Sequence, residues 1–175
     1  MNIFYLHDDP ETCARLHCDK HVVKMPLETA QMLCTVYHEY GYEAPYKAVH
    51  RKHPCTLWAG ESRSNYTWLW NLGMALCKEY TFRYGKVHKS QYVLETLTDL
   101  PVFMIGKDLT VVSPLPQCMP EQYKQDTSEQ TQWTGWYQKT VAAYENYYRH
   151  EKARFCTWKN RPIPKFMEKT MQLQS

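Results

Sequence analysis

The sequence lacks the features that mark several common protein classes. No apolar run approaches the roughly 18 residues of a membrane-spanning helix. The opening MNIFYLHDD has neither the basic region nor the apolar core of a signal peptide. There is no glycine-rich phosphate loop and no Ser or Cys nucleophile signature, which argues against a dinucleotide cofactor and against hydrolase-elbow chemistry. We therefore expect a cytoplasmic protein with no membrane partner and no cofactor.

A CxxC pair is also absent, although the chain has seven cysteines. Their number is odd, and several occupy apolar positions of helical patterns, where a free thiol behaves as a small hydrophobe. This usage favours a reducing compartment over a disulfide framework.

Aromatic residues are abundant, at 14% of the chain, with 14 Tyr and 6 Trp. Such rings suit wet interfaces and nucleic-acid bases, but they suit an aromatic-rich core equally well. The formal net charge of +3 permits a polyanionic partner without requiring one. A length of 175 residues suits a single domain, 1–175, whose last ten or so residues fray.

Apolar residues recur at helical spacing over three long stretches. We predict an all-α single domain of about three long helices, over 9–40, 54–84 and 129–155, with a short helix over 88–99. Proline-containing loops are predicted over 100–123 and after Pro162. Asp9 and Pro10 should start the first helix, and Pro26 should kink or split it. Gly85 should end the second helix.

A row of polar residues runs along the first predicted helix at steps of four and three, which places them on one helical face: His17, His21, Lys24, Glu28 and Gln31. A neighbouring apolar stripe is expected to be buried: Leu16, Val23, Leu27, Ala30 and Cys34. The polar row is either salt-bridge decoration, with Lys24 paired to Glu28, or a functional site. His17, His21 and Glu28 could alternatively bind a metal, because histidines four residues apart share a helix face.

Two basic clusters are candidates for nucleic-acid binding. The first precedes a helix start, where unpaired amides favour phosphate: His50, Arg51, Lys52 and His53. The second is interleaved with aromatic residues: Arg149, Lys152, Arg154, Trp158, Lys159 and Arg161. Solvated basic surfaces would give the same patterns.

The segment CDKHVVKMPLETAQ resembles part of the phage pyrimidine-dimer DNA glycosylase family, known as endonuclease V. In that family an Asp-x-His is likewise followed, seven residues after the His, by a catalytic Glu, which corresponds to Glu28. Weaker similarities follow in the same order, at KHPCTLWAGE, LPQCMPEQYK and EKARFCTWK. The opening MNIFYL-x-x-DP is also similar to an uncharacterised phage protein family.

The resemblance implies a helical DNA-binding enzyme that breaks a glycosidic bond and then the strand. The family's nucleophile is the α-amine of its mature N-terminus, a Thr, where this chain has Asn2 after Met1. Met1 is therefore the candidate nucleophile, with Glu28, His21 and Lys24 as the other catalytic candidates. A Met1 amine within about one sugar ring of Glu28 would fit this chemistry. Leu27 and Gln31 stand where the family has arginines, so recognition of dimers is not implied.

We thus expect a DNA glycosylase, with or without abasic-site lyase activity, that excises a damaged or modified base. Two alternatives stay open at this point. One is a metal-dependent nuclease or nucleotide hydrolase, and the other is a non-catalytic phage protein that binds nucleic acid or a host component.

Overall fold

The computed structural model describes residues 1–97, 101–107, 111–128 and 135–174. These residues form α-helices and short 3₁₀ and π turns with no β-strand among them, which confirms the all-α prediction. The three predicted long helices are, however, divided into shorter ones. The helices are α1 (Pro10–Leu16), α2 (Asp19–Glu39), α3 (Pro54–Glu61), α4 (Arg63–Tyr84), α5 (Lys89–Thr96), α6 (Gly135–Tyr147) and α7 (Lys165–Gln172).

The first predicted helix is two helices, and the break is not at Pro26. Asp9 caps α1 as predicted, its carboxylate accepting the Thr12 amide hydrogen bond at 2.8 Å. The chain becomes extended at His17 and Cys18, whereas α2 continues through Pro26. The prediction of a kink or split at Pro26 misplaced the boundary, and His17 lies outside α2.

The burial predicted for α2 is also partly wrong. Val23 and Leu27 are 44% and 40% exposed, so they lie on the solvent face together with Lys24. Ala30 and Cys34 are buried, as predicted. Helix α2 buries a wider apolar face than the predicted apolar stripe. Glu28 lies at the edge of that face and is 8% exposed.

The second predicted helix begins at Pro54 as expected but divides at Ser62. Ser62 is extended and caps α4 by accepting a hydrogen bond from the Asn65 amide at 3.1 Å. Gly85 ends α4 in the left-handed conformation with φ of 63°, which confirms its predicted role.

Helix α4 packs closely on α2 because Gly73 has no side chain. A Cβ built at Gly73 would lie 2.8 Å from Thr29 Cγ2 and 3.0 Å from Leu94 Cδ1. The glycine therefore sets the separation of α2, α4 and α5, and α2 carries Glu28 next to Thr29.

A buried ionic network ties α4 to α2 and to the C-terminal segment. Arg83, only 1% exposed, donates to Glu79 at 2.7 Å and to Asp19 at 2.9 Å. Arg161 donates two hydrogen bonds to Glu79, each 2.9 Å long. The backbone also joins here, since the Asp19 amide donates to the Thr157 carbonyl at 2.8 Å. These contacts stabilise the break before α2.

The third predicted helix is described from residue 135 onward; 129–134 lie outside the described residues. Helix α6 passes into a π-helical turn at Tyr148–Lys152 and a 3₁₀ turn at Ala153–Phe155. The tail predicted as loop contains α7, whose Met167 is fully buried. Of the predicted short helix 88–99, residues 89–96 are helical, and 98–99 lie outside the described residues. The predicted loop over 100–123 holds 3₁₀ turns at Val102–Met104 and Glu121–Tyr123, and its residues 100 and 108–110 are likewise outside.

The N-terminal segment threads through the core without forming helix or strand. Residues 2–6 are all buried, and Phe4 stacks on His21 with 4.0 Å between ring centroids. Tyr5 contacts Trp68 and Trp136. Among the described residues no helix is both long and apolar enough to cross a membrane. The buried segment holds Met1 against the middle of α2.

Candidate active site

The N-terminal amine lies against Glu28. The Met1 nitrogen is 3.8 Å from Glu28 Oε2, within the span of one sugar ring. The Asn2 backbone amide donates to the same oxygen at 3.2 Å. Lys24, one helical turn before Glu28, places its Nζ 3.0 Å from the other carboxylate oxygen. The carboxylate is thus held between two cationic groups and one amide donor.

The side chain of Met1 is buried, but its backbone is not. The side chain is 3% exposed, with Sδ 3.8 Å from Thr56 Oγ1, whereas the residue as a whole is partly exposed. The exposed atoms of Met1 therefore belong mainly to its backbone.

Asn2 anchors this terminus. Its side-chain amide donates to the Cys118 carbonyl at 2.8 Å, and its Oδ1 accepts from the Tyr144 hydroxyl at 2.9 Å and from the Ile3 amide at 2.8 Å. These bonds join the N-terminus to the loop before α6 and to α6 itself. The position of the amine is thus fixed by residues far away in sequence.

His53 closes another side of the site. Its Nδ1 accepts from the Cys55 amide at 3.1 Å and so caps α3. Its ring also interacts electrostatically with the N-terminal ammonium. Burial, together with the neighbouring N-terminal ammonium and His50, lowers the pKa of His53, so the neutral ring is favoured beside the amine.

Two thiols lie beside His53. Cys55 Sγ and Cys118 Sγ are 3.5 Å apart, the first fully buried and the second partly exposed. The pKa of Cys118 is lowered by its hydrogen bond with the Cys55 thiol and by the positive charges of Lys124 and the N-terminal ammonium. The partial burial of Cys118 opposes this shift. Within the described part of the chain, His53, Cys55 and Cys118 form the one group of three potential metal-ligating side chains, their ligand atoms all within 4.8 Å of one another.

The predicted metal set of His17, His21 and Glu28 is not such a group in the described residues. His17 is fully buried and its Nδ1 is 2.7 Å from the Cys13 carbonyl. Burial lowers the pKa of His17 to about 3, so it is a neutral core residue. The described structure does not bring these three side chains together, because the break before α2 removes His17 from the helical face.

His21 belongs to the packing beneath the site. Its Nδ1 is 2.5 Å from the Tyr148 hydroxyl, and its ring stacks on Phe4. It lies on α2 as predicted, but its contacts are with the segment that positions Met1 rather than with Glu28.

The first basic cluster borders the amine through His53. His50, Arg51 and Lys52 are exposed, and His50 has a positive φ of 47° that turns the chain into α3. Thr35 fixes this turn, since its hydroxyl accepts from the Val49 amide at 3.0 Å. Arg51 is paired with Glu39 on α2.

The second basic cluster is not a single surface. Lys152 and Arg154 lie over the Phe155 ring, with Lys20 of α2 at 4.7 Å from its centroid. Arg149, by contrast, lies 3.9 Å from Glu145.

The other members of this cluster make structural contacts. Trp158 is 7% exposed and donates to the Leu16 carbonyl, so its ring is part of the core rather than a platform for bases. Arg161 is held by Glu79. Lys159 donates its amide to Asp19 and places its ammonium over the Tyr84 ring.

Sequence reasoning missed Asn2, Cys55, Cys118 and Tyr144 as neighbours of the amine. A signal existed for the cysteines, because both fall in segments that resemble the glycosylase family, KHPCTLWAGE and LPQCMPEQYK. Nothing in the sequence pattern connected either segment to residue 1.

The arrangement suits amine chemistry on a sugar. An amine can attack an electrophilic carbon, and an adjacent carboxylate can accept its proton and stabilise the cation that forms. No curated protein and no solved structure matches the chain. The family model described as pyrimidine dimer DNA glycosylase matches residues 1–92, which contain Met1, Glu28 and His53. The match covers more than half of the sequence, and the chain belongs to the pyrimidine dimer DNA glycosylase family.

Proposed function

We propose that this protein excises a damaged or modified base from DNA and then cleaves the abasic strand, with the Met1 α-amine as nucleophile and Glu28 as the catalytic carboxylate. The observation that carries the proposal is the 3.8 Å separation of the Met1 nitrogen and Glu28 Oε2. Membership of a DNA glycosylase family supports the reaction class and DNA as the partner.

In the first step the amine lone pair forms a bond to C1′ of the sugar, and the base leaves with the electrons of its glycosidic bond and takes up a proton. The nitrogen gives its proton to Glu28. The C1′–O4′ bond then opens with a proton from Glu28 to O4′, which leaves a protonated imine between Met1 and C1′. Glu28, deprotonated by that transfer, then accepts a C2′ proton, and the 3′ phosphate oxygen leaves with the electrons of the C3′–O bond, which breaks the strand.

The surrounding residues support these steps. The Asn2 amide and the Lys24 ammonium contact the two Glu28 carboxylate oxygens and orient the carboxylate toward the amine. The neutral form of His53 adds no further positive charge beside the amine. His21 acts as a positioning residue, because it packs on Phe4 in the segment that carries Met1.

Two exposed basic surfaces flank the site and are proposed to bind the DNA backbone. His50, Arg51 and Lys52 lie on the side of His53. Lys152 and Arg154, with Lys20, surround Phe155, which contacts His21 at 5.9 Å between ring centroids. Loss of one phosphate contact should weaken binding to all DNA sequences by a similar factor. It should also reduce the slope of log K against log salt concentration by about one.

The test uses duplexes that carry pyrimidine dimers, uracil, oxidised bases or a preformed abasic site, with borohydride added to reduce an imine to a stable bond. We expect cleavage of at least one base substrate and a trapped adduct whose peptide mass places the DNA on Met1. An N-terminal extension, which moves the amine, should abolish trapping, while the same extension at the C-terminus should not.

Lys24 provides the decisive control, because it is a second amine near Glu28. The Lys24→Arg variant keeps the charge but cannot form an imine, so trapping on Met1 should persist. An adduct on Lys24, or trapping that survives the N-terminal extension, would exclude Met1 as nucleophile. Absence of both cleavage and trapping across the panel would refute the enzymatic proposal.

A further inference from the structure

A set of side chains next to the N-terminal segment has no part in the proposed glycosylase chemistry. His53, Cys55 and Cys118 come from two distant segments, and their ligand atoms lie within 4.8 Å of one another. Soft thiolates and an imidazole are the ligands that Zn²⁺ and similar thiophilic cations prefer. We propose that these three residues bind a thiophilic divalent cation, with Zn²⁺ as the reference ion, and that the bound ion competes for the N-terminal amine.

The distances suit a tetrahedral ion. Two thiolates bound to one Zn²⁺ at about 2.3 Å lie about 3.8 Å apart. The two sulfurs are separated by 3.5 Å, so only a small movement of either side chain is needed. Cys118 is partly exposed and gives a path of entry, whereas Cys55 is fully buried.

The imidazole is oriented for ligation. Because Nδ1 accepts from the Cys55 amide, the ring proton lies on Nε2, and the Nδ1 lone pair faces the start of α3. An ion would replace the Cys55 amide as the partner of Nδ1.

The fourth ligand is where the ion meets the proposed reaction. The N-terminus lies beside this cluster, since the Asn2 side-chain amide donates to the Cys118 carbonyl at 2.8 Å and Met1 Sδ lies 3.8 Å from Oγ1 of Thr56, the residue after Cys55. Three protein ligands leave one position of a tetrahedral ion open, and an unprotonated amine can fill it. An amine bound in this way has no lone pair with which to attack C1′. This consequence rests on the proposed function, whereas the metal site itself does not.

The site is tested by titrating the full-length, reduced, chelator-treated protein with Zn²⁺ against a chromophoric chelator. Co²⁺ provides a second probe through its thiolate charge-transfer absorption. We expect one ion per chain. Cys118→Ser should weaken binding at least ~100-fold, beyond the loss that an outer-sphere change causes. Cys156→Ser is the matched control, because Cys156 hydrogen-bonds to Cys18 in a second thiol pair. Its affinity should equal that of the wild type.

Binding of no ion, or equal affinity in Cys118→Ser, would overturn the metal site. Competition is read separately, as the amount of adduct trapped by borohydride on an abasic duplex with and without Zn²⁺. Zinc should reduce the amount of trapped adduct several-fold in the wild type. In the Cys118→Ser variant, the amount of adduct should be the same with and without zinc. If the zinc-loaded wild type forms as much adduct as the zinc-free protein, the amine is not the fourth ligand. If no adduct forms even without zinc, the proposed function fails while the titration still decides the metal site.

Discussion

Replacing Glu28 with Gln removes the negative charge from the centre of the candidate site at almost constant volume. Glu28 interacts with the Met1 amine at 3.8 Å, the Asn2 amide at 3.2 Å and Lys24 at 3.0 Å. The Gln carbonyl can still accept one of these hydrogen bonds, but it can neither accept the proton of the amine nor stabilise a cationic imine. General acid–base catalysis contributes about 10²–10⁴-fold, so we expect the strand-cleavage rate to fall by that factor. This corresponds to about 2.7–5.5 kcal/mol of transition-state stabilisation.

The same change should have little effect on stability. Lys24 is 65% exposed, so its pair with Glu28 contributes only about 0.3–0.5 kcal/mol, and the Gln carbonyl can still accept the hydrogen bond that the Asn2 amide donates to the buried Glu28. We therefore expect Tm to shift by less than about 2 °C. The assay is single-turnover cleavage of an abasic duplex, followed with and without borohydride. Glu11→Gln is the control, since Glu11 forms an equivalent ion pair with Arg15 on α1, away from the site. A Glu28→Gln rate within tenfold of the wild-type rate, with a folded protein, would refute the role of Glu28.

Three further predictions concern the scaffold. Glu79→Gln removes the carboxylate that pairs with the buried Arg83 and should lower the free energy of unfolding in urea by about 3–5 kcal/mol. A decrease of less than about 1 kcal/mol would contradict a structural role for this ionic network. Burial alone would raise the pKa of Glu79, but hydrogen bonds from two arginines lower it, so its stabilising contribution should disappear as pH falls below about 4.5. Burial lowers the pKa of His17 to about 3, so the free energy of unfolding should decrease as pH falls from 6.5 toward 3. The His17→Gln variant should reduce the slope of that free energy against pH by up to ~1.4 kcal/mol per pH unit. An unchanged slope would exclude a buried neutral His17. Gly73→Ala should destabilise the protein by about 1–3 kcal/mol in thermal unfolding, because its Cβ would meet Thr29 at 2.8 Å; a neutral result would show that the helices can separate freely.

The helix starts and ends that depend on neighbouring residues were predictable from the sequence. Asp9 with Pro10, and Gly85, act within one or two turns, and the structure confirms them. The break before α2 was not predictable, because it is stabilised by the Thr157 carbonyl and by Arg83, which are remote in sequence. A periodic pattern carries no information about such a partner, and it therefore merged α1 with α2.

The candidate site shows the same division. The spacing on α2 placed Lys24 beside Glu28, and the structure has them in contact at 3.0 Å. Spacing also placed Val23 and Leu27 in the core, yet both are exposed next to that pair. Helical periodicity defines which residues share a face but not which face meets the rest of the protein. Cys118 could not be assigned to the site either, because only the folded loop brings it to Cys55.

Asn2, the residue that follows Met1, has a physical role in this structure. Its side chain is fully engaged with Cys118, Tyr144 and Ile3, and the residue is only 9% exposed. The Asn2 backbone nitrogen lies 3.2 Å from Glu28, but it is a peptide nitrogen whose lone pair is delocalised into the Met1 carbonyl, so it is not a nucleophile. The backbone of Met1, one residue earlier, is partly exposed and reaches the same carboxylate. The polar anchor at residue 2 and a nucleophile at residue 1 are therefore consistent with each other. Asn2→Ala should release the terminus and reduce the amount of borohydride-trapped adduct on Met1. A small exposed residue at position 2 could supply the nucleophilic amine only in a chain that began at that residue.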